Sequence, residues 1–156
     1  MYTEKDYQAN RLQLKHRLMM LGIPALLLLI CVVWSFIVRI KWITILSTMV
    51  LSVGCLFAYG MLLFPVIAYG RHLNDVLHGR THPMTGAFKT LGQDKVLREG
   101  VEFYPVIVSA GRMDNEEDDR LLYIDANLPR PEWQAGDMIS FTVHDKTIGK
   151  WEMVEN

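Results

Sequence analysis

Two long uncharged runs of apolar residues dominate the first half of the chain. Leu18 to Val38 has 21 residues without a charge, and Ile43 to Tyr69 has 27. At about 1.5 Å per residue, a helix of either length crosses the hydrocarbon core of a bilayer, which is about 30 Å thick. Only residues 39–42 separate the runs. The pattern therefore predicts a transmembrane helical hairpin, with spans at about residues 18–38 and 43–69.

The segments that flank these runs are also expected to be largely helical. Residues 1–17 are predicted to be an amphipathic juxtamembrane helix, in which Thr3 and Asp6 have the spacing of a capping box, or alternatively a basic tail. Beyond the second run the helical pattern continues to about residue 79, where Gly79 is a natural helix stop. Residues 80–85, which include a proline, are predicted to be a linker.

From residue 86 onward, apolar and polar residues alternate, which is typical of β-strands. The two residues Asp145 and Lys146 separate the last two predicted strands, which indicates a hairpin. Residues 86–156 are therefore predicted to form a small cytoplasmic domain, an antiparallel five-stranded β-barrel that is either OB-like or SH3-like. The predicted strands are residues 87–91, 102–110, 120–125, 137–144 and 147–154.

The core of that domain is predicted from the same alternation. Ile139, Phe141 and Val143 recur at every second position, so their side chains lie on one face of the strand. We expect the core to contain Phe103 or Tyr104, Ile107, Leu121 or Leu122, Ile139, Phe141, Val143 and Trp151.

Charge divides the chain into the same two parts. Residues 1–80 carry eight basic and three acidic residues, a net charge of +5, whereas residues 81–156 carry eight basic and fourteen acidic residues, a net charge of −6. An acidic domain is poorly suited to bind nucleic acid, because such binding relies on basic residues that displace counterions. The lipid bilayer and a protein are therefore the expected partners, and nucleic acid is not.

The positive charges around the two runs predict their orientation, because basic residues favour the cytoplasmic side. Six of them, Lys5, Arg11, Lys15, Arg17, Arg71 and Arg80, lie at the two outer ends of the hairpin, and only Arg39 and Lys41 lie in its connection. We therefore expect a multi-pass protein of a cell membrane, with both termini in the cytoplasm. The compact hairpin suits a bacterial plasma membrane. Aromatic interface anchors are expected at Trp34 and Trp42 on the outer side and at Tyr69 on the inner side.

The second span contains small residues at helical spacing, namely Ser47, Gly54 and Ala58. Small residues on one helical face allow two helices to approach closely. This helix-packing stripe is predicted either to pack against the first span or to mediate self-association or the binding of another membrane protein.

Candidate chemistry is sparse. His72, Asp75, His78 and His82 lie close together in sequence and are the candidate metal ligands, although their spacing matches no known ligand pattern. The chain has no Gly-x-Ser-x-Gly turn and no glycine-rich phosphate loop. We therefore predict no catalytic residue and no cofactor, and we expect a protein that is not an enzyme.

The features together predict a membrane-anchored adaptor or accessory subunit that presents a small β-barrel for protein–protein interaction, through the barrel or through the helix stripe. The alternative is a membrane-anchored sensor whose barrel binds a small molecule, a sugar or a peptide. In layout, a helical anchor before a small OB-type barrel, the chain resembles NfeD-like bacterial membrane proteins. That resemblance implies a scaffold beside a membrane partner, of the stomatin or protease type.

The predicted topology can be tested by cysteine labelling. In a variant whose native Cys31 and Cys55 are replaced by serine, cysteines introduced at Arg39 and at Asn115 should react differently with a membrane-impermeant reagent on intact cells. The residue 39 site should be labelled from outside, and the residue 115 site only after lysis, because the hairpin returns to the side from which it starts. Labelling of position 115 on intact cells would show the reverse orientation.

Overall fold

The computed structural model describes residues 1–111 and 116–154, so Asn115 and the acidic Asp114 beside it lie outside the described residues. The chain divides into two compact units. Unit 1 comprises Met1–Tyr7 and Tyr69–Asn156, and unit 2 comprises Gln8–Ala68. Each unit is described below by itself.

Unit 2 contains most of two long helical runs. The first helix, α1, extends over Glu4–Val38, so the predicted juxtamembrane segment and the first predicted span belong to one helix. The second run extends over Lys41–His78 and consists of α2 (Lys41–Phe57), a π-helical segment (Ala58–Leu63) and α3 (Phe64–His78). Both runs are long and apolar enough to cross a membrane, which confirms two apolar helices ahead of the β-structure.

The connection between the two runs is shorter than the sequence predicts. Only Arg39 and Ile40 lie between α1 and α2. Arg39 has a φ of 61°, the left-handed conformation that often follows the last residue of a helix, and Ile40 is extended and precedes the first turn of α2. Two residues therefore suffice to reverse the chain.

The π-helical segment ends at Leu63, two residues before Pro65. Proline has no N–H, so the carbonyl of Met61, four residues earlier, cannot accept its usual α-helical hydrogen bond. A π-helical stretch changes the pairing of donors and acceptors over the preceding turn, and such stretches are a recognised cause of helix bending. The second helical run is thus irregular just ahead of Pro65, in the form of this π-helical segment.

Unit 1 is built on one mixed sheet of six strands. The strands are β1 (His82–Leu91), β2 (Val96–Arg98), β3 (Val101–Ser109), β4 (Asp119–Asp125), β5 (Met138–His144) and β6 (Thr147–Met153). Their order is β1-β5-β6-β4-β3-β2, and β1 pairs in addition with β3. The sheet follows the predicted strands closely, and the β5–β6 hairpin is confirmed.

The prediction of five antiparallel strands is wrong in two respects. β4 and β6 pair in parallel, and β2 is a sixth strand. β2 has only three residues, two of them exposed, so it shows no alternation. It is joined to β3 by Glu99 and Gly100, both with positive φ, which is the two-residue hairpin turn that matches the twist of a sheet.

β1 also begins earlier than expected. His82 is its first residue, so most of the predicted linker at residues 80–85 is strand, and Pro83 is paired opposite Thr142 of β5. A proline is tolerated near the start of a strand, where the loss of one N–H costs little. The helix before it ends at His78, as predicted, and the N–H of Gly79 donates to the carbonyl of Asp75 at 2.8 Å.

The core of unit 1 largely matches the prediction. Phe103, Leu122, Ile139, Phe141 and Val143 are buried, and Trp151 packs against the core from its edge. The prediction is wrong at one position, because Val106 and Val108 are buried in place of the half-buried Ile107. The side of α3 that carries Leu73 and Val76 is also buried in this unit.

Truncation of the central core residue tests this assignment. Phe141 is fully buried, so Phe141→Ala should lower the free energy of unfolding by about 3–5 kcal/mol, a large share of the stability of a small domain. The change can be measured by thermal unfolding of the full chain in mild detergent, followed by near-ultraviolet circular dichroism. Leu97→Ala is the matched control, since Leu97 is 70% exposed, and should change stability by less than about 0.5 kcal/mol. Equal effects of the two changes would contradict the core assignment.

Candidate functional site: the Asp125 cluster

Unit 1 contains a polar cluster that is centred on Asp125. Among the described residues, Asp125 is the most deeply buried acidic residue. It is the last residue of β4 and is 1% exposed. Its Oδ1 accepts hydrogen bonds from the backbone N–H and the side-chain amide of Asn127, at 2.8 and 2.9 Å. An aspartate that binds the backbone two residues later forms an Asx turn, which here ends the strand.

Two tyrosines that are distant in sequence lie beside this carboxylate. The hydroxyl of Tyr2 donates to Oδ2 at 3.0 Å, and the side chain of Tyr69 also lies close to Asp125. With the two bonds from Asn127, the carboxylate accepts three hydrogen bonds within the described residues. Both of its oxygens are therefore occupied by donors.

His72 extends the cluster by one more hydrogen bond. Its Nε2 lies 3.0 Å from the hydroxyl oxygen of Tyr2. Because the single hydroxyl hydrogen of Tyr2 is directed to Asp125, Nε2 must be the donor to Tyr2, which makes it the protonated nitrogen of the imidazole. The ring also lies edge-on to Phe103, with centroids 5.1 Å apart, so an apolar residue of β3 fixes its plane.

Burial shifts the protonation of the groups around Asp125. It raises the pKa of Tyr2 well above its usual range, and the neighbouring Asp125 charge raises it further. Burial also lowers the pKa of His72, which lies beyond the predicted span, although Asp125 partly opposes this shift. Neutral tyrosine and neutral histidine are therefore favoured, and Asp125 is stabilised by hydrogen bonds. Among the described residues, none of the ion pairs formed by lysine or arginine involves Asp125.

The first residues of the chain are held at several further points within this unit. The carboxylate of Glu4 pairs with Nε2 of His78 at 3.0 Å, and the rings of Tyr7 and His78 are in edge contact at 6.2 Å. Asp6 accepts hydrogen bonds from both the backbone N–H and the hydroxyl of Thr3. Only half of the predicted capping box is formed, because the N–H of Asp6 donates to the backbone carbonyl of Thr3 and not to its hydroxyl. The cluster thus joins three segments, namely Met1–Tyr7, the helix from Tyr69 and the end of β4.

Chemically, this arrangement is a buried clamp. Both carboxylate oxygens of Asp125 accept hydrogen bonds, from Asn127 and from Tyr2, and the half-buried His72 donates to the hydroxyl oxygen of Tyr2. Hydrogen bonds to a buried charge are among the strongest that proteins form, and the loss of one partner leaves the charge unsatisfied. The cluster is therefore suited to hold chain segments together.

The four candidate metal ligands lie in different surroundings. His72 belongs to the cluster, Asp75 is exposed, His78 pairs with Glu4, and His82 is exposed at the start of β1. Within residues 1–111 and 116–154, no group of three or more histidine, cysteine, aspartate and glutamate side chains could hold a metal ion. The structure thus does not bring these candidates together.

The other predicted site residues lie mainly in unit 2. Gly54 and Ala58 line an apolar cleft between the helical runs, and the Ser47 hydroxyl donates to the carbonyl of Ile43 at 2.7 Å. Trp34 and Trp42 are exposed. Tyr69, the predicted inner interface anchor, belongs to unit 1 and lies close to Asp125, a position that the sequence does not reveal.

Comparison of the chain with protein-family models, with curated proteins and with solved structures finds no match. The resemblance in layout to NfeD-like proteins therefore remains a prediction.

Removal of one donor tests the clamp. Tyr2→Phe deletes the hydroxyl that donates to Asp125 and should lower the stability of the full chain by about 1.5–3 kcal/mol, the typical worth of a hydrogen bond to a charged group. The same change at the exposed Tyr59 is the matched control and should have little effect. In an Asp125→Asn background, Tyr2→Phe should cost less, because the charged acceptor is absent. Equal costs in both backgrounds, measured by thermal unfolding, would contradict the clamp.

Proposed function

We propose that the protein is a non-enzymatic adaptor or accessory subunit, anchored in a membrane by its two helical runs, with a β-domain that binds a protein partner. The observation that carries this proposal is an exposed apolar edge strand, β2, on a sheet whose other described strands each have at least two neighbours. A scaffold of the NfeD-like kind is one form of such an adaptor.

The surface of the helical runs supports the membrane anchor. In the apolar windows of the two runs only 11% and 6% of the residues are buried, whereas the core helix of a soluble protein is mostly buried. Large side chains point outward along both runs, for example Ile37 at 74% and Leu56 at 74% exposure. A continuous apolar surface of this length is stable in hydrocarbon and unfavourable in water. The flanking positive charges favour cytoplasmic termini and the cytoplasmic side for the β-domain.

The strand pairing supports a barrel of the OB-like type. β1 pairs with β5 through its first half and with β3 through its second half, with a break in register between Phe88 and Thr90. The pairs β3–β4, β4–β6 and β6–β5 then return to β1, so five strands form a circuit and β2 lies outside it. A parallel pair between the third and the last strand of the circuit favours the OB-like over the SH3-like arrangement.

β2 is the element best placed to bind a partner. Within residues 1–111 and 116–154 it pairs only with β3, so its outer edge carries backbone groups that no described strand covers. Leu97 is 70% exposed and Val96 is 39% exposed, while the Arg98 guanidinium lies 4.3 Å from the ring centre of Tyr123. An extended peptide that adds to such an edge gains backbone hydrogen bonds, and neighbouring side chains supply specificity.

The proposal can be tested with a photoreactive amino acid at position 97 of the full chain in cell membranes. Illumination should give a crosslinked product of defined mass, because the exposed side chain would face the bound partner. The same amino acid at Asp145, an exposed turn residue between β5 and β6, is the control and should not give that product. Leu97→Lys should remove the partner from the purified complex without a change in thermal stability. Retention of the partner by Leu97→Lys would exclude the β2 edge as the binding surface.

A further inference from the structure

Unit 2 contains an apolar cleft between its two helical runs. The cleft has a volume of about 400 Å³ and is open on one side. Small residues line much of it, and a Cβ atom added at Gly22 or Gly54 would have no neighbour within 4 Å. Gly54 and Ala58 of the predicted stripe therefore form one wall of this cleft, and at Gly54 the helix is not in close contact with α1. The residues that line its middle are Gly22, Ala25, Leu28, Leu51, Gly54 and Ala58.

The shape of the cleft limits what can occupy it. On α1 it extends from Leu18 to Leu28, which at 1.5 Å per residue corresponds to about 15 Å. An α-helix with its side chains is about 10–12 Å across, so a helical segment of that length occupies on the order of 1,400 Å³, well above the volume of the cleft. The cleft is thus too small to enclose a helix of a partner but has room for a single hydrocarbon chain.

The side chain of Arg17 places a positive charge at one end of this cleft. Arg17 immediately precedes Leu18, and Leu62 immediately precedes Leu63, both of which line the cleft. The guanidinium of Arg17 donates to the carbonyl of Leu62 at 2.7 Å, which places it across the gap between the two runs. A guanidinium has five N–H donors and binds phosphate through two of them at once, so this contact leaves donors for an anion.

We propose that the cleft binds one acyl chain of an anionic phospholipid, whose phosphate lies at Arg17. The proposal rests on the membrane location proposed above, because only a bilayer supplies this ligand at the cleft. The apolar walls exclude a polar occupant, and the position of Arg17 favours a negatively charged headgroup over a neutral one.

Native mass spectrometry of the full chain, purified in mild detergent and mixed with either phosphatidylglycerol or phosphatidylcholine, tests this site. The wild type should retain one phosphatidylglycerol and much less phosphatidylcholine. Gly54→Leu should abolish retention by filling the channel, and the helix should tolerate the change, because leucine favours helix more than glycine does. Val53→Leu, next to it but outside the cleft, is the matched control and should retain the lipid. Arg17→Gln should reduce the preference for phosphatidylglycerol by roughly tenfold.

Other outcomes would overturn the proposal in distinct ways. Equal lipid retention by Gly54→Leu and wild type would exclude the cleft. The wild type could instead form a dimer that holds no lipid and that dissociates in the Gly54→Leu variant. That result would show that a second copy of the chain occupies the cleft. Extraction of membranes with alkaline carbonate tests separately whether the protein is anchored in the membrane, as the proposed function requires. A protein that stays in the membrane but retains no lipid contradicts only the lipid site, whereas a protein released by carbonate contradicts the anchor.

Discussion

The sheet of unit 1 depends on one strand, β1, having two partners. Residues 82–87 pair with β5 and residues 87–91 pair with β3, so the strand changes neighbours within its length. Gly86 lies at the point of change. A Cβ atom there would lie 2.6 Å from the carbonyl oxygen of Ser109, too close for any other residue without a shift of the backbone. The close approach of β1 and β3 therefore requires a glycine, and the circuit of strands depends on it.

The Asp125 cluster stabilises the same unit through hydrogen bonds, whereas the sheet core is stabilised by apolar burial. Apolar burial holds the sheet together without fixing direction, whereas the hydrogen bonds from Tyr2 and Asn127 to the buried Asp125, and from His72 to Tyr2, are directional. A buried charge is costly unless its hydrogen bonds are complete. The conformation in which all three segments meet is therefore favoured over those in which any one of them is displaced. This is the property that a domain carried by two helices would need in order to present a fixed surface to a partner.

Much of the fold could be predicted because its signals are local. The two apolar runs are set by length and composition, and β5 is set by the alternation of Ile139, Phe141 and Val143. β2 was missed because three residues are too few to show a period, although the Glu99-Gly100 dipeptide was a turn signal. The Asp125 cluster could not be predicted, since Tyr2 and Asp125 are 123 residues apart and no local pattern links them. The Asp-x-Asn sequence at the end of β4 is typical of an Asx turn, but it does not indicate the distant partners of Asp125.

The two partners of β1 also determine when the domain can form during synthesis. The first half of β1 bonds to residues 138–143, which the ribosome adds more than fifty residues later. Domains fold as units while a chain emerges, and pairings between distant residues form slowly. Both helical runs are complete by residue 78, before any strand exists. Under the membrane anchor proposed above, the helical runs would thus be complete and available for insertion while the β-domain is still unfolded, and the sheet would assemble afterwards.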